Sequence, residues 1–210
     1  LQQQDIAMFR EKFMTTDKAC APEARAEAER RLAALEGRAV PLSDAAFVLE
    51  LSRIVALADN GHTRLNASVR VRRFNRVEIR LVPFGEDFHV LWARPEHADL
   101  LGGRLVAIDG YPIGDLRTAA RSLSGGTPAF RDRYAPYLFE SPQQLNALGL
   151  AVAADEAIYR FAMPDGQLVQ RRLFASPPSP DQPVPGVGRL LDPTREGAEP
   201  GNWVTLITPE

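Results

Sequence analysis

The sequence predicts an α+β fold, with an N-terminal helical bundle followed by a β module that carries short helices and an extra β-hairpin. Apolar residues recur at a helical period through the first 58 positions. From Val77 the period changes to two, across glycine-containing turns. A second alternating pair follows at 158–174, after an aromatic stretch broken by Pro136 and Pro142.

Ile6, Met8, Phe9 and Phe13 predict a first helix over 3–16, and Ala24 to Leu35 an alanine-rich second one with a Glu27/Arg31 pair one turn apart. Gly37 ends it. Ser43 offers an N-cap for a third helix, whose face is Phe47, Leu51, Ile54, Val55 and Ala58. That helix stops at Asp59-Asn60-Gly61, where Asn and Gly tolerate left-handed backbone, so His62 falls just beyond a helix C-terminus.

Val77, Ile79 and Leu81 then alternate with Glu78 and Arg80, and Phe88, Val90 and Trp92 with His89 and Leu91, across a turn at Gly85-Glu86-Asp87. This is a β-hairpin. Pro95 to Leu101 predicts a short helix, Leu105 to Ile108 a buried strand closed by Asp109-Gly110, and Leu116, Ala119, Ala120 and Leu123 a helix ended by Gly125-Gly126. Ala129 to Leu148 reads as helical pieces, and Ile158–Ala162 pairs with Leu168–Phe174 across Pro164-Asp165-Gly166. From Ser176 to Pro200 the chain is a Pro/Gly-rich loop, followed by a strand candidate at 203–207. The expected organisation is 1–75 helical, 76–125 β module, 126–175 helices and hairpin, and 176–210 a Pro/Gly-rich linker.

Composition removes several function classes. A net charge of -2 gives no field that would gather nucleic acid. No apolar run approaches the roughly 20 residues of a membrane span. Of the 25 cationic side chains, only Lys12 and Lys18 are lysines and 23 are arginines, so a lysine base could come only from the early helices. Cys20 is the sole cysteine, which rules out an internal disulfide or a paired-thiolate metal site. The chain opens at Leu1 with no basic, apolar leader, consistent with a removed signal peptide or trimming; a periplasmic or secreted location is the expectation.

The helix running into Leu57-Ala58-Asp59-Asn60-Gly61-His62-Thr63, the two strands, and then Leu100-Leu101-Gly102-Gly103-Arg104-Leu105-Val106-Ala107-Ile108-Asp109-Gly110 together resemble the front half of a tail-specific, or C-terminal-processing, tricorn-like serine peptidase. In that family a helix ends in an Asp-Gly-His-Thr-like motif and a PDZ-like domain follows. Asn60 stands where the motif usually has Asp. The resemblance covers about residues 40 to 125 and implies a PDZ-like module at 76–125, a peptide or protein substrate, no cofactor, and His62 as general base for a serine in a downstream domain. A histidine titrating near neutrality can take a serine proton if held within hydrogen-bond reach.

The residues also support plainer readings. His62 could cap the last helical carbonyls, and the chain could be a noncatalytic peptide-binding or scaffold module. Ser68, Ser122 and Ser124 lie outside nucleophile-elbow contexts. His89 and His97 suit no metal site with His62. Glu86/Asp87 and Asp99/Asp109 read as turn and cap residues. Arg70, Arg72, Arg73 and Arg76, interleaved with Val71 and Phe74, read as a solvated strand edge, with an acidic ligand as the alternative. Phe130, Tyr134, Tyr137, Phe139 and Trp203 read as packing aromatics. Asn66-Ala67-Ser68 is a sequon that matters only in a glycosylating host.

Overall fold

A computed structural model describes residues 2–14, 18, 20–65 and 73–178. The sequon with Ser68, the arginines at 70 and 72, the linker from 179 onward and the 203–207 strand candidate lie outside the described residues. The chain divides into two compact units, Leu1–Arg70 with Arg117–Ala135, and Val71–Leu116 with Pro136–Glu210.

In the first unit, α1 (Gln2–Phe9) runs into a π-helical turn, Arg10–Met14, and is followed by α2 (Pro22–Glu36) and α3 (Asp44–Ala56). Pro22 begins α2 at the position where its missing N–H costs nothing. Ser43 Oγ caps α3 by accepting the Ala46 N–H at 3.3 Å. Ile6, Ala28, Leu32, Phe47, Leu51 and Ile54 form one core cluster, so each helix contributes its apolar stripe. Arg10 bridges to Glu29 and Glu36, and Arg31 to Glu27 at 2.6 Å, the one-turn pair the spacing predicts.

The second unit is built on a seven-stranded antiparallel sheet: β1 (Arg76–Val77), β2 (Ile79–Phe84), β3 (Asp87–Ala93), β4 (Arg104–Ile108), β5 (Tyr111–Pro112), β6 (Glu156–Ala162) and β7 (Leu168–Ser176). The order is β1-β7-β6-β4-β3-β2, with β5 paired to β4. Only Glu78 separates β1 from β2, yet these strands hold the two ends of the sheet. A one-residue link cannot span a flat sheet about five strand spacings wide, so the sheet curls into a nearly closed barrel. Leu81, Phe88, Val90, Leu105, Ile108, Tyr159, Phe161 and Leu173 are buried, and β6 alternates strictly, with Ala157, Tyr159 and Phe161 buried.

Pro95–Leu100 forms a 3₁₀ turn, and four α-helices follow: α4 (Ile113–Arg121), α5 (Pro128–Tyr134), α6 (Pro136–Phe139) and α7 (Pro142–Ala147). Prolines open α5, α6 and α7, and Pro136 and Pro142 divide the aromatic stretch into pieces as expected.

One sequence expectation fails in β2. Strict alternation places Arg80 opposite the apolar face, but Arg80 is 2% exposed. The register against β3 slips between Arg80 and Leu81, a β-bulge, and the consecutive residues Ile79 to Val82 are all buried. The solvated-edge reading also fails at Arg76, which is buried; Arg73 alone of the described arginines in that cluster is exposed.

Candidate active site

His62 sits in a turn built by its own neighbours. The last carbonyls of α3 are met by backbone amides: Leu57 N–H to Ile54 O, Ala58 N–H to Val55 O and Asp59 N–H to Ala56 O, at 3.0–3.2 Å. Asp59 then adopts φ 46°, reversing the chain. Asn60 Oδ1 accepts the His62 N–H at 2.9 Å and Asn60 O the Thr63 N–H at 3.0 Å, so asparagine supplies the side-chain acceptor that an Asx-turn needs. His62 is exposed, and among the described residues its ring makes no hydrogen bond or ion pair.

The turn is clamped from the loop between α4 and α5. Asp59 Oδ1 accepts the Gly126 N–H at 3.1 Å and Arg131 Nη2 at 2.5 Å, while Arg131 Nε donates to Gly126 O at 2.8 Å. These donors hold the Asp59 carboxyl below its ordinary range, the Gly126 amide foremost and then Arg131. Gly125 lies so close that a Cβ there would stand 2.4 Å from Asn60 N. A Cβ on Gly61 would meet the Phe130 ring at 2.9 Å. Arg121 and Asp132 form a two-pronged pair at 2.7 and 2.6 Å, fixing α5 against α4.

The serines of this region offer no partner for His62. Ser122 Oγ donates to Ala119 O at 2.6 Å, and Ser124 is 4% exposed, its Oγ buried without a hydrogen-bond partner. Among the described residues no three His, Cys, Asp or Glu side chains are grouped to hold a metal ion.

The second unit holds a buried charge cluster that sequence reasoning missed. Glu140, fully buried, takes the guanidinium groups of Arg76 and Arg80 on Oε2 and the Leu81 N–H on Oε1 at 2.8 Å. Its backbone carbonyl accepts the Val77 N–H at 2.9 Å. Glu140 therefore ties β1 to β2, the two ends of the sheet. Burial pushes its carboxyl up, against the pull of Arg80 and the Leu81 amide. The Tyr137 ring lies 5.9 and 5.7 Å from the two guanidinium carbons.

The other residues singled out in the sequence have structural partners. Asp109, at φ 46°, accepts the Val152 and Ile158 N–H groups at 2.8 and 2.7 Å, and Asp99 pairs with Arg171. His89 Nδ1 lies 3.2 Å from Gly102 O, so the ring is tethered rather than free in solvent. Phe139 packs edge-on against Phe88 at 5.0 Å.

No protein-family model matches the chain, and no curated protein matches it. Solved structures do match in fold. Mature CPAF complexed with lactacystin superposes with a TM-score of 0.53 at 15% identity, covering 90% of this chain and 39% of that one. A serine-to-alanine mutant of CPAF gives 0.51 at 16% identity, over 83% of this chain and 33% of that one. CPAF is a tail-specific serine protease, so the resemblance read from the sequence is met at the level of fold. This chain spans well under half the length of those relatives.

Proposed function

We propose that this chain is the N-terminal, substrate-recognition part of a serine endopeptidase resembling tail-specific proteases, with His62 as general base for a serine in a downstream domain. One observation carries the reading: an exposed imidazole, without a partner among the described residues, stands on a turn braced by Asp59, Gly126 and Arg131. A base must be oriented yet open on the side its nucleophile approaches. His62 would take the serine proton as the hydroxyl attacks the scissile carbonyl and return it to the leaving amine. The fold likeness to CPAF supports the assignment, and on this reading β4, the Asp109-Gly110 turn and β5 would form the core of a PDZ-like module that receives a peptide strand. A periplasmic or secreted location belongs to the same proposal; no helix among the described residues is long and apolar enough to cross a membrane.

The second reading, a noncatalytic peptide-binding or scaffold module, is favoured by Ser122 and Ser124, which both lack the setting of a nucleophile. A fluorophosphonate probe on protein expressed from the complete reading frame separates the two. The peptidase reading expects labelling that His62→Ala reduces about 100-fold or more, the usual scale for a lost general base. Equal labelling removes His62 from the role, and no labelling of either protein leaves the noncatalytic module.

A further inference from the structure

Two residues beyond His62, half-buried Arg64 differs from Arg121 and Arg131, the arginines that brace this region. Arg121 and Arg131 each have a carboxylate partner, Asp132 and Asp59. Arg64 makes no hydrogen bond or ion pair among the described residues. Its guanidinium carbon lies 4.1 Å from the Tyr134 ring centroid and 5.4 Å from that of Phe130, on a pair of rings 5.1 Å apart. Nη1 is buried with no acceptor, while the residue as a whole is half-buried and still reaches solvent. Phe130 is the same ring that backs Gly61, so Arg64 and the His62 turn lean on one support.

A guanidinium is a planar, weakly hydrated fork that matches a carboxylate with two parallel hydrogen bonds. Stacking on two rings fixes its direction before any ligand arrives, which lowers the ordering cost of binding. Partial burial without a counter-ion leaves the cation short of solvation, a deficit that an arriving anion removes.

We propose that Arg64 is a carboxylate-binding residue that anchors an acidic group of a peptide beside His62. The inference rests on reading this turn as a peptide site and adds what it selects. The carboxylate has two sources, the peptide's free C-terminus or an Asp or Glu side chain.

The test is fluorescence anisotropy with labelled alanine-rich octapeptides, on the complete protein carrying His62→Ala so that binding is read without turnover. One pair compares a free C-terminus with its amide. A second pair, both amidated, compares an internal Glu with Gln. At least one acidic peptide should bind about 10- to 100-fold tighter than its neutral counterpart, the worth of a charge-assisted hydrogen-bond pair. Arg64→Gln should erase that preference by weakening acidic binding more than neutral binding, and Arg64→Lys should keep part of it. Whichever pair shows the gap names the source. Equal binding within both pairs overturns the proposal, as does an equal loss of acidic and neutral binding in Arg64→Gln, or no saturable binding by any peptide. Should Arg64→Gln fail to fold, the preference of the parent protein and its closing between low and high salt decide. Acid preference without fluorophosphonate labelling defeats only the peptidase reading; labelling without acid preference defeats only this one.

Discussion

Asp59 and Arg131, 72 residues apart in sequence, meet at 2.5 Å between Oδ1 and Nη2, and the same Asp59 oxygen receives the Gly126 N–H. The residue that reverses the chain after α3 is thus also the residue that fastens the loop between α4 and α5 to it. Its side chain remains 70% exposed, so solvent screens much of the attraction.

That arrangement sets an acid-side dependence. The Gly126 amide and then Arg131 lower the Asp59 carboxyl on folding, so its contribution is present above the unfolded carboxylate range and is lost as pH falls through the folded value. Asp59→Asn, which tolerates the same left-handed backbone, should cost at most about 1 kcal/mol at neutral pH. The gap between thermal melts of parent and variant should begin to close below about pH 4, the unperturbed aspartate range, and vanish only once pH has passed the lower folded value. A gap that stays constant into acid would show that the charge contributes nothing.

Two glycines should respond in opposite ways to alanine. At Gly125 the new Cβ meets Asn60 N at 2.4 Å and Asp59 backbone atoms at 2.8 Å, none of which is a flexible side-chain end. Gly125→Ala should therefore cost about 1–3 kcal/mol, the scale of forced overpacking, and displace the His62 turn. Gly114, inside α4, has nothing within 4 Å of its would-be Cβ. There alanine should gain about 0.5–1 kcal/mol by removing unfolded-state freedom. Urea unfolding midpoints check both, and equal shifts would contradict the geometry.

What the sequence displayed and what it hid follow from the range of the interactions. The third helix, its Ser43 cap and the turn at Asn60 depend on neighbours within four residues, so periodicity and residue type exposed them. The hairpins were legible for the same reason. Arg80 was misplaced because a bulge resets alternation, and one sequence carries no mark distinguishing a bulged strand from a regular one. Glu140 lay between Phe139 and Ser141 with no motif around it, and its partners are 60 and 64 residues away. Arg131, Phe130 and Arg64 were hidden likewise: their roles appear only once the loop after α4 is folded against the turn after α3.

Asp109 repeats the device of Asp59 in the second unit. At φ 46° it offers one carboxylate oxygen to the Val152 N–H and the other to the Ile158 N–H. Asp109→Asn retains one acceptor and the backbone preference, and should cost about 1–2 kcal/mol. Asp109→Ala loses both acceptors and adds left-handed strain, so its cost should exceed that of Asn by about 1–2 kcal/mol. Amide exchange should identify the site, with Ile158 losing protection before residues at the far end of β6. Uniform loss along β6 would indicate global destabilisation instead.

Glu140 presents the largest single dependence. Its side chain answers Arg76, Arg80 and the Leu81 amide, while its carbonyl answers Val77, so one residue satisfies groups from both ends of the sheet. Removing the carboxylate strands two buried guanidinium groups, and breaking such a set by deleting one partner costs about 3–5 kcal/mol. Glu140→Ala should therefore unfold the second unit or lower its stability by that amount. Arg80→Met, which removes one buried charge and leaves Glu140 paired with Arg76, should cost less. The double variant Glu140→Leu/Arg80→Met discards most of the buried charge and should recover part of the Glu140→Ala loss, since replacing a buried ion pair by apolar groups of similar volume is often neutral. Denaturant titrations of these three proteins and of the single variant Glu140→Leu decide the matter. A double variant as unstable as the sum of its parts would mean that Glu140 acts through packing and its hold on the Leu81 amide, and that the buried charges are not coupled.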